Sequence, residues 1–578
     1  MAYKLLESKI FPNRKLLNDL CQEKVFGRKS TVAKDICKEI CLFVKSLNTN
    51  IIDVWPARKA VTLAQGETFD IRFVVITENL NEESKNDLEN LIQSYYDTLP
   101  LRDCDHLSSE ETYLMKENLY TLREDNQNRI NACITIHADS LLQKHTYLSI
   151  ISSCPFRSVG YDTSNHKIVA TPCIVLNVQY KGYIPIDEEP FERQYDGVQV
   201  DVREDIFVLY NYTAKERHDN VKAGCLISGE TNERGRCPKG TLGGFVNHPD
   251  YGLCGITCSH VLLWPTELSE LGGGESQEIN WSRSTLPAGR NVDKWHGNVY
   301  QPFKVETNEG DDADDNKIGR LVKVIYRRGK TSTKEMDQCG IDAALFQLSN
   351  RLPNSSDFPA VKVSDADISP TGTNIDSPGH REIPVQFGTG TVGGFAWHDQ
   401  TAYSKYGAVT GYTVGELFDC SIAVKEPFKW THADSFKYIL HNQLSLSKPN
   451  DGGHDISPLD RPEESLDYFA FAGDSGALVH HETTDGKLVC VGLVVGGRKS
   501  QKTCIITPIL PVLKAMGISD FKNFDGERNE SNVKKMVVEM KTINTNIENM
   551  DREMKDGFTN ISEQLNTMQN TGMRCEII

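Results

Sequence analysis

Apolar and polar positions change rhythm twice along this chain. Up to about residue 215, helical and strand-like stretches alternate. Val32 to Leu47 has apolar residues at helical spacing, and Glu82 to Leu99 reads as an amphipathic helix. Phe69 to Thr77 (FDIRFVVIT) is an almost unbroken β-branched and aromatic run, the pattern of a buried strand. Ala132 to His137, Thr171 to Tyr180 and Asp205 to Tyr212 also read as strands. An α/β or α+β domain over residues 1–215, as one unit or two small ones, is expected, with no catalytic constellation of its own.

From about residue 216 to 516 the apolar runs shorten, and Gly, Pro, Asn and Asp fall between them. The runs are Thr241–Val246, Cys254–Leu263, Ile318–Tyr326, Ile341–Leu348, Thr391–Trp397, Ser421–Lys425, Leu488–Val495 and Thr503–Thr507. Many short strands with turn chemistry between them predict an all-β barrel or sandwich. Pro508 to Met516 reads as a closing helix, and the acidic run from Glu306 to Asp315 as a solvated loop. Beyond Ser531 the period becomes that of a coiled coil. Val533, Met536, Met540, Ile543, Ile547, Met550 and Met554 alternate spacings of three and four. Phe558, Ile561, Leu565 and Met568 continue the seam past a stutter near Gly557. Self-association through residues 533–568 is expected, against the alternative of a helix folded onto its own chain.

Composition narrows the function. Length favours several domains, and 39% hydrophobic with 25% charged residues is an ordinary globular balance. A net charge of -17 without a Lys/Arg-rich block argues against a nucleic-acid partner, because phosphate neutralisation needs a concentrated basic face. The opening Met1–Glu7 has no apolar core of a secretory signal, and no stretch reaches bilayer-spanning length. The 16 cysteines form no CxxC clusters, so neither a metal site nor a cofactor is called, and reduced thiols in a cytoplasmic setting are expected.

Three short segments carry chemistry. Gly473-Asp474-Ser475-Gly476 supplies a hydroxyl in a tight turn, with glycines that let the Gly473 and Ser475 amides converge on one oxygen. Gly255-Ile256-Thr257-Cys258-Ser259-His260-Val261-Leu262 ends a β-run in small residues before a histidine. Taken alone, that histidine reads as a buried structural one. Cys339-Gly340-Ile341-Asp342-Ala343-Ala344-Leu345-Phe346 places an aspartate inside an apolar strand, where a carboxylate is costly without a partner. Each segment is weak evidence singly.

Together, TCSH, IDAAL and GDSGALV resemble the histidine, aspartate and nucleophile motifs of the chymotrypsin/trypsin-like serine peptidase family, in that family's order. The resemblance implies two antiparallel six-stranded barrels over residues 216–518, with the triad between them. It implies His260 as general base, Asp342 as its orienter, Ser475 as nucleophile, and the Gly473 and Ser475 amides as oxyanion hole. Gly240–Val246 and Gly407–Gly415 are similar to segments of intracellular, non-secreted members, the narrow-leaf type of plants and related bacterial proteins. By the family pattern Phe469 lies at the base of the substrate pocket, with Val495 and Gly497 on its wall, which implies a small or apolar residue before the cleaved bond. No IVGG-like site precedes the barrels. The oxyanion turn is therefore expected to be preformed, or set by another interaction, oligomerisation among them.

The whole reading is multidomain. An N-terminal α/β (α+β) domain precedes an all-β double-barrel trypsin-like protease domain. A coiled-coil helix follows over 530–570, then a flexible tail over 571–578. Cys575-Glu576-Ile577-Ile578 fits a C-a-a-X prenylation pattern loosely, so membrane contact is expected only if Cys575 carries a lipid. The expected activity is hydrolysis of a protein or peptide substrate. The rival is a catalytically silent scaffold that keeps the protease fold.

Overall fold

The computed structural model describes residues 14–22, 25–59, 71–77, 82–93, 101–103, 110, 122–161, 165–209, 217–231, 237–271, 278–283, 297–302, 316–330, 338–354, 390–395, 402–426, 436–448, 468–483, 487–498 and 503–570. The acidic run 306–315 and the tail with Cys575 lie outside the described residues. Residues Met1–Lys522 form one unit and Asn523–Ile578 another.

Near the start, the helix Thr31–Ser46 is capped by Ser30, whose hydroxyl accepts from the Ala33 amide at 3.2 Å. Its buried stripe of Ala33, Ile36, Cys37, Ile40, Cys41 and Val44 packs with Ile51, Val54, Phe73 and Val75 in one apolar cluster. These strand residues belong to Ile51–Lys59 and Ile71–Thr77, the centre of a small sheet whose edges are Leu101–Asp103 and Tyr183–Pro185.

Ala132–His137, read as a strand, lies instead inside the helix Glu124–Lys144. Ile130, Cys133, Ile134, Ala138, Leu141 and Leu142 are its buried residues, a three-and-four spacing that extends well beyond the six-residue window. The local β-branched content misled, and the longer period decided the outcome.

That helix packs beside the strands Leu148–Cys154, Cys173–Val178 and Val198–Glu204. These do not form a sheet of their own. Ile150 and Ile151 pair with Val424 and Ala423 of the strand Gly411–Lys425, so one sheet runs from before residue 215 into the β-rich half.

Six strands there close on themselves: Tyr403–Gly407, Leu478–Glu482, Leu488–Arg498, Cys504–Pro508, Ile439–Ser447 and Gly411–Lys425, which pairs back with the first. A second sheet runs through Lys239–Thr241, Leu226–Ser228, Asn298–Tyr300, Lys317–Arg327, Ile341–Leu348, Gly252–Thr257 and Gly244–His248. Only Leu242 and Gly243 separate the strands at its two ends, so this sheet also curls round. Thr391–Trp397, expected as a strand, contributes one isolated bridge, Val392 to Cys490, among its described residues.

Unit two is a single helix, Phe524–Asn570. Met536, Met540, Ile543, Ile547, Met550, Met554, Phe558, Ile561 and Leu565 on it are all more than half exposed. No helix among the described residues is long and apolar enough to cross a membrane.

Candidate active site

Each sheet delivers one part of the site to their junction. In the second sheet, Gly252–Thr257 ends in a single 3-10 turn, Ser259–Val261, that carries His260. The adjacent strand Ile341–Leu348 is buried along almost its whole length, and Asp342 is its second residue. Its pairing with Gly252–Thr257 matches Ala344 to Thr257, which sets Asp342 level with the histidine turn.

Asp342 is fully buried and fully supplied with donors. The Ser259 amide reaches Oδ1 at 2.8 Å, and the Ser259 hydroxyl donates to the same oxygen. Oδ2 takes the His260 ring through Nδ1 and the Tyr438 hydroxyl at 2.6 Å. Burial pushes this carboxyl up, but the neighbouring His260 ring and the Ser259 and Tyr438 hydroxyls outweigh it and hold it below the ordinary value. An ionised carboxylate on Nδ1 fixes the ring tautomer, with Nε2 left as the acceptor. Among the described residues Nε2 of His260 has no hydrogen-bond partner.

Ser475 comes from the closed six-stranded barrel, in the turn just before Leu478–Glu482. Two residues of that turn have positive φ, Gly473 at 99° and Gly476 at 93°, so glycine is required at both. A Cβ on Gly476 would also strike Thr257 and the Thr241 carbonyl. Cross-links tie the turn to the second sheet: Thr241 donates its amide to the Ser475 carbonyl at 2.7 Å and its hydroxyl to the Gly473 carbonyl at 2.8 Å. Gly240 sits so tightly between the Ser475 carbonyl and Val261, the residue after the histidine, that a side chain would not fit. The serine and histidine segments therefore share one wall of the junction.

The Ser475 hydroxyl donates to the Val495 carbonyl at 2.7 Å, and Cys258 Sγ donates to the adjacent Val494 carbonyl at 3.2 Å. Asp474, Gly476 and Ala477 spend their amides on backbone carbonyls at 2.8–2.9 Å. Among the described residues the Gly473 and Ser475 amides have no such acceptor, as an oxyanion-binding pair requires.

Asp474 anchors the turn inside the fold. Its carboxylate is fully buried against the equally buried Lys405, with Nζ to Oδ2 at 3.0 Å. Thr410 Oγ1 donates to Oδ2 at 2.6 Å, the Phe471 amide to Oδ2 at 3.0 Å, and the Val409 amide to Oδ1 at 3.0 Å. Gly407 is part of this cradle, since a Cβ there would collide with the carboxylate. Lys405 and Thr410 lie at the tip of the hairpin formed by Tyr403–Gly407 and Gly411–Lys425. The turn is thus set by an internal ammonium.

Phe469 is fully buried in the apolar core of the closed barrel, with Lys405 Nζ 5.5 Å from its ring and Thr413 Oγ1 donating to its carbonyl at 2.6 Å. Val495 and Gly497 are buried positions of Leu488–Arg498, the strand that passes the serine turn. Three residues beyond the triad complete the surroundings. Tyr438 bonds Asp342, Ser259 binds it twice, and half-buried Glu426 lies near His260. Burial raises the Glu426 carboxyl, and the His260 ring partly offsets the rise.

Two groups combine metal-type donors, Cys258 with His260 and Asp342, and Cys133 with His137 and Asp196. Both are committed to internal hydrogen bonds. Cys133 Sγ donates to the Tyr195 carbonyl at 3.2 Å, and His137 Nε2 meets Asp196 at 2.7 Å. Burial, and after it Asp342, pushes the Cys258 thiol well up, so it stays protonated beside the histidine. The described cysteines are thiols, with no disulfide among them.

No family model matches the chain, and no curated protein is similar to it. Solved structures that are similar include a glutamic-acid-specific serine protease and a Nocardiopsis protease, each 13% identical with a TM-score of 0.23, covering 52% of this chain and 100% of theirs. A Cellulomonas bogoriensis chymotrypsin is 15% identical at the same TM-score, over 52% of this chain and 99% of its own. The class these neighbours share is the serine proteases.

Proposed function

We propose that this protein is a serine endopeptidase that cleaves peptide bonds through His260, Asp342 and Ser475. The observation that carries this reading is a histidine held by a buried carboxylate at Nδ1, with Nε2 unpartnered, on the wall it shares with a serine in a glycine turn. The reaction requires the Ser475 hydroxyl to leave the Val495 carbonyl and turn toward Nε2. His260 then takes its proton while Oγ attacks the substrate carbonyl carbon, and the Gly473 and Ser475 amides receive the oxyanion. His260 returns the proton to the leaving amine as the peptide C–N bond breaks. Water, deprotonated by the same nitrogen, hydrolyses the acyl-enzyme.

The family pattern assigns the pocket to Phe469, Val495 and Gly497, and the lack of an acidic residue at 469 favours a small or apolar residue before the cleaved bond. The exposed seam of the C-terminal helix supports homo-oligomerisation through residues 533–568. A cytoplasmic site of action, with membrane contact only through a lipid on Cys575, completes the reading. The silent-scaffold reading is favoured by one observation, the Ser475 hydroxyl resting on Val495 rather than His260.

A fluorophosphonate probe separates the two. Labelling of the wild type that is abolished in Ser475→Ala and in His260→Ala supports the enzyme. A folded wild type that takes up no label sinks it.

A further inference from the structure

The strand Leu488–Arg498 has two edges with different fates. One is paired with Cys504–Pro508 from Gly492 to Gly497, with a register shift at Val495, Gly496 lying opposite Ile505 and Gly497 opposite Cys504. The other pairs with Leu478–Glu482 only as far as Leu493, because that neighbour begins at the serine turn. Next along this edge, the Val494 carbonyl takes the Gly476 amide at 2.8 Å, and the Val495 carbonyl takes the Ser475 hydroxyl at 2.7 Å. From Gly496 onward a different segment fills the edge. Phe207–Leu209 lies antiparallel to it, with Phe207 opposite Arg498, Val208 opposite Gly497 and Leu209 opposite Gly496.

From its N- to its C-terminal end this segment advances along the edge toward Ser475. An extended polypeptide presenting a carbonyl to Ser475 would pair with the same edge in the same direction. The seat is built closely. A Cβ on Gly496 would collide with the Val208 carbonyl and the Phe207 ring. Phe207 is fully buried and stacks on Tyr438, with centroids 6.2 Å apart, and Tyr438 bonds Asp342. The Phe207 amide donates to Ser149 Oγ at 2.9 Å, away from the edge. By strand alternation Val208 turns its amide and carbonyl toward Gly497.

Resting on the peptidase reading, we propose that Phe207–Leu209 is an internal competitor for the substrate-binding edge. A polypeptide supplied in trans must displace it. The segment thereby governs which substrates reach Ser475, and a small reagent that needs only the serine and histidine is spared the competition.

Val208→Pro removes the amide that faces Gly497 and leaves Phe207 in place. Hydrolysis of fluorescein-labelled casein is expected to rise about five- to tenfold in kcat/KM, mostly through a lower KM, as loss of one strand hydrogen bond implies. Fluorophosphonate labelling should proceed alike in wild type and variant. A synthetic peptide of residues 204–209 should inhibit the variant competitively. If Val208→Pro loses its cooperative melt, Leu209→Asp carries the same test. The proposal is overturned by a folded variant that labels normally, cleaves casein no faster than wild type and ignores the peptide. Failure of both proteins to label would instead strike the peptidase reading itself.

Discussion

Replacing Lys405 with methionine keeps the length of the side chain and removes its charge from the core. The pair it forms with Asp474 is 3.0 Å long, and both side chains are fully buried. At an effective dielectric constant of about 20, unit charges at that distance attract by about 5 kcal/mol. Four donors would remain on the carboxylate: Thr410 Oγ1, and the amides of Val409, Thr410 and Phe471. They soften the loss, which places it at the low end of the range for breaking a buried pair, about 3 kcal/mol. Because Asp474 lies between Gly473 and Ser475, this cost falls on the turn that aims the two amides. If the loss is borne by the active shape of the turn, the rate of fluorophosphonate labelling falls about a hundredfold. Urea unfolding and labelling kinetics of Lys405→Met, Asp474→Asn and the double variant measure both effects. The double variant should recover much of the stability, since it no longer buries a lone charge. A Lys405→Met protein as stable as wild type and labelled at the wild-type rate would refute the reasoning.

Tyr438→Phe removes one donor from Asp342 and should cost about 1–2 kcal/mol, with slower labelling and an unchanged helix content by circular dichroism. Burial lifts the Asp419 carboxyl from 3.8 to about 6, against pull from Arg498, the Cys420 amide and Ser153. A carboxyl raised in the folded state stabilises most below the unfolded value, so stability should fall by about 3 kcal/mol as pH rises from about 4 to 6. Asp419→Asn should flatten that part of a pH series of urea melts. Ile547→Asp, in the exposed seam of the last helix, should reduce the mass seen by multi-angle light scattering to that of one chain. A wild type that is already monomeric would end the coiled-coil proposal.

Much of the site could be read from the chain, because its motifs are local. Small residues before His260, an aspartate in an apolar strand and glycines around Ser475 each announce themselves within eight residues. Ile341–Leu348 was legible to the residue because a short, mostly apolar run suits a buried strand. Lys405 was not legible. A lysine in a strand reads as solvated, and only the barrel closure that sets Tyr403–Gly407 beside Leu478–Glu482 brings it under Asp474. Tyr438 and the seat of Phe207 depend likewise on pairings between distant strands. Ala132–His137 failed because a six-residue window samples too little of a helical period. The pairing of Leu148–Cys154 with Gly411–Lys425 was not legible either, since rhythm does not reveal which edge a strand will join.

The pairing of Leu148–Cys154 with Gly411–Lys425 has a practical consequence. A fragment beginning at residue 216 would lack the cover of a barrel strand. It would also strip Lys425 of the carbonyls of Leu142 and His145 that its ammonium holds, at 2.9 and 2.5 Å. Such a fragment would present an open, apolar ladder to any other copy, and precipitation is its expected fate. The β-rich half is not a portable cassette, and protein made for assay or crystallisation should keep the first two hundred residues attached.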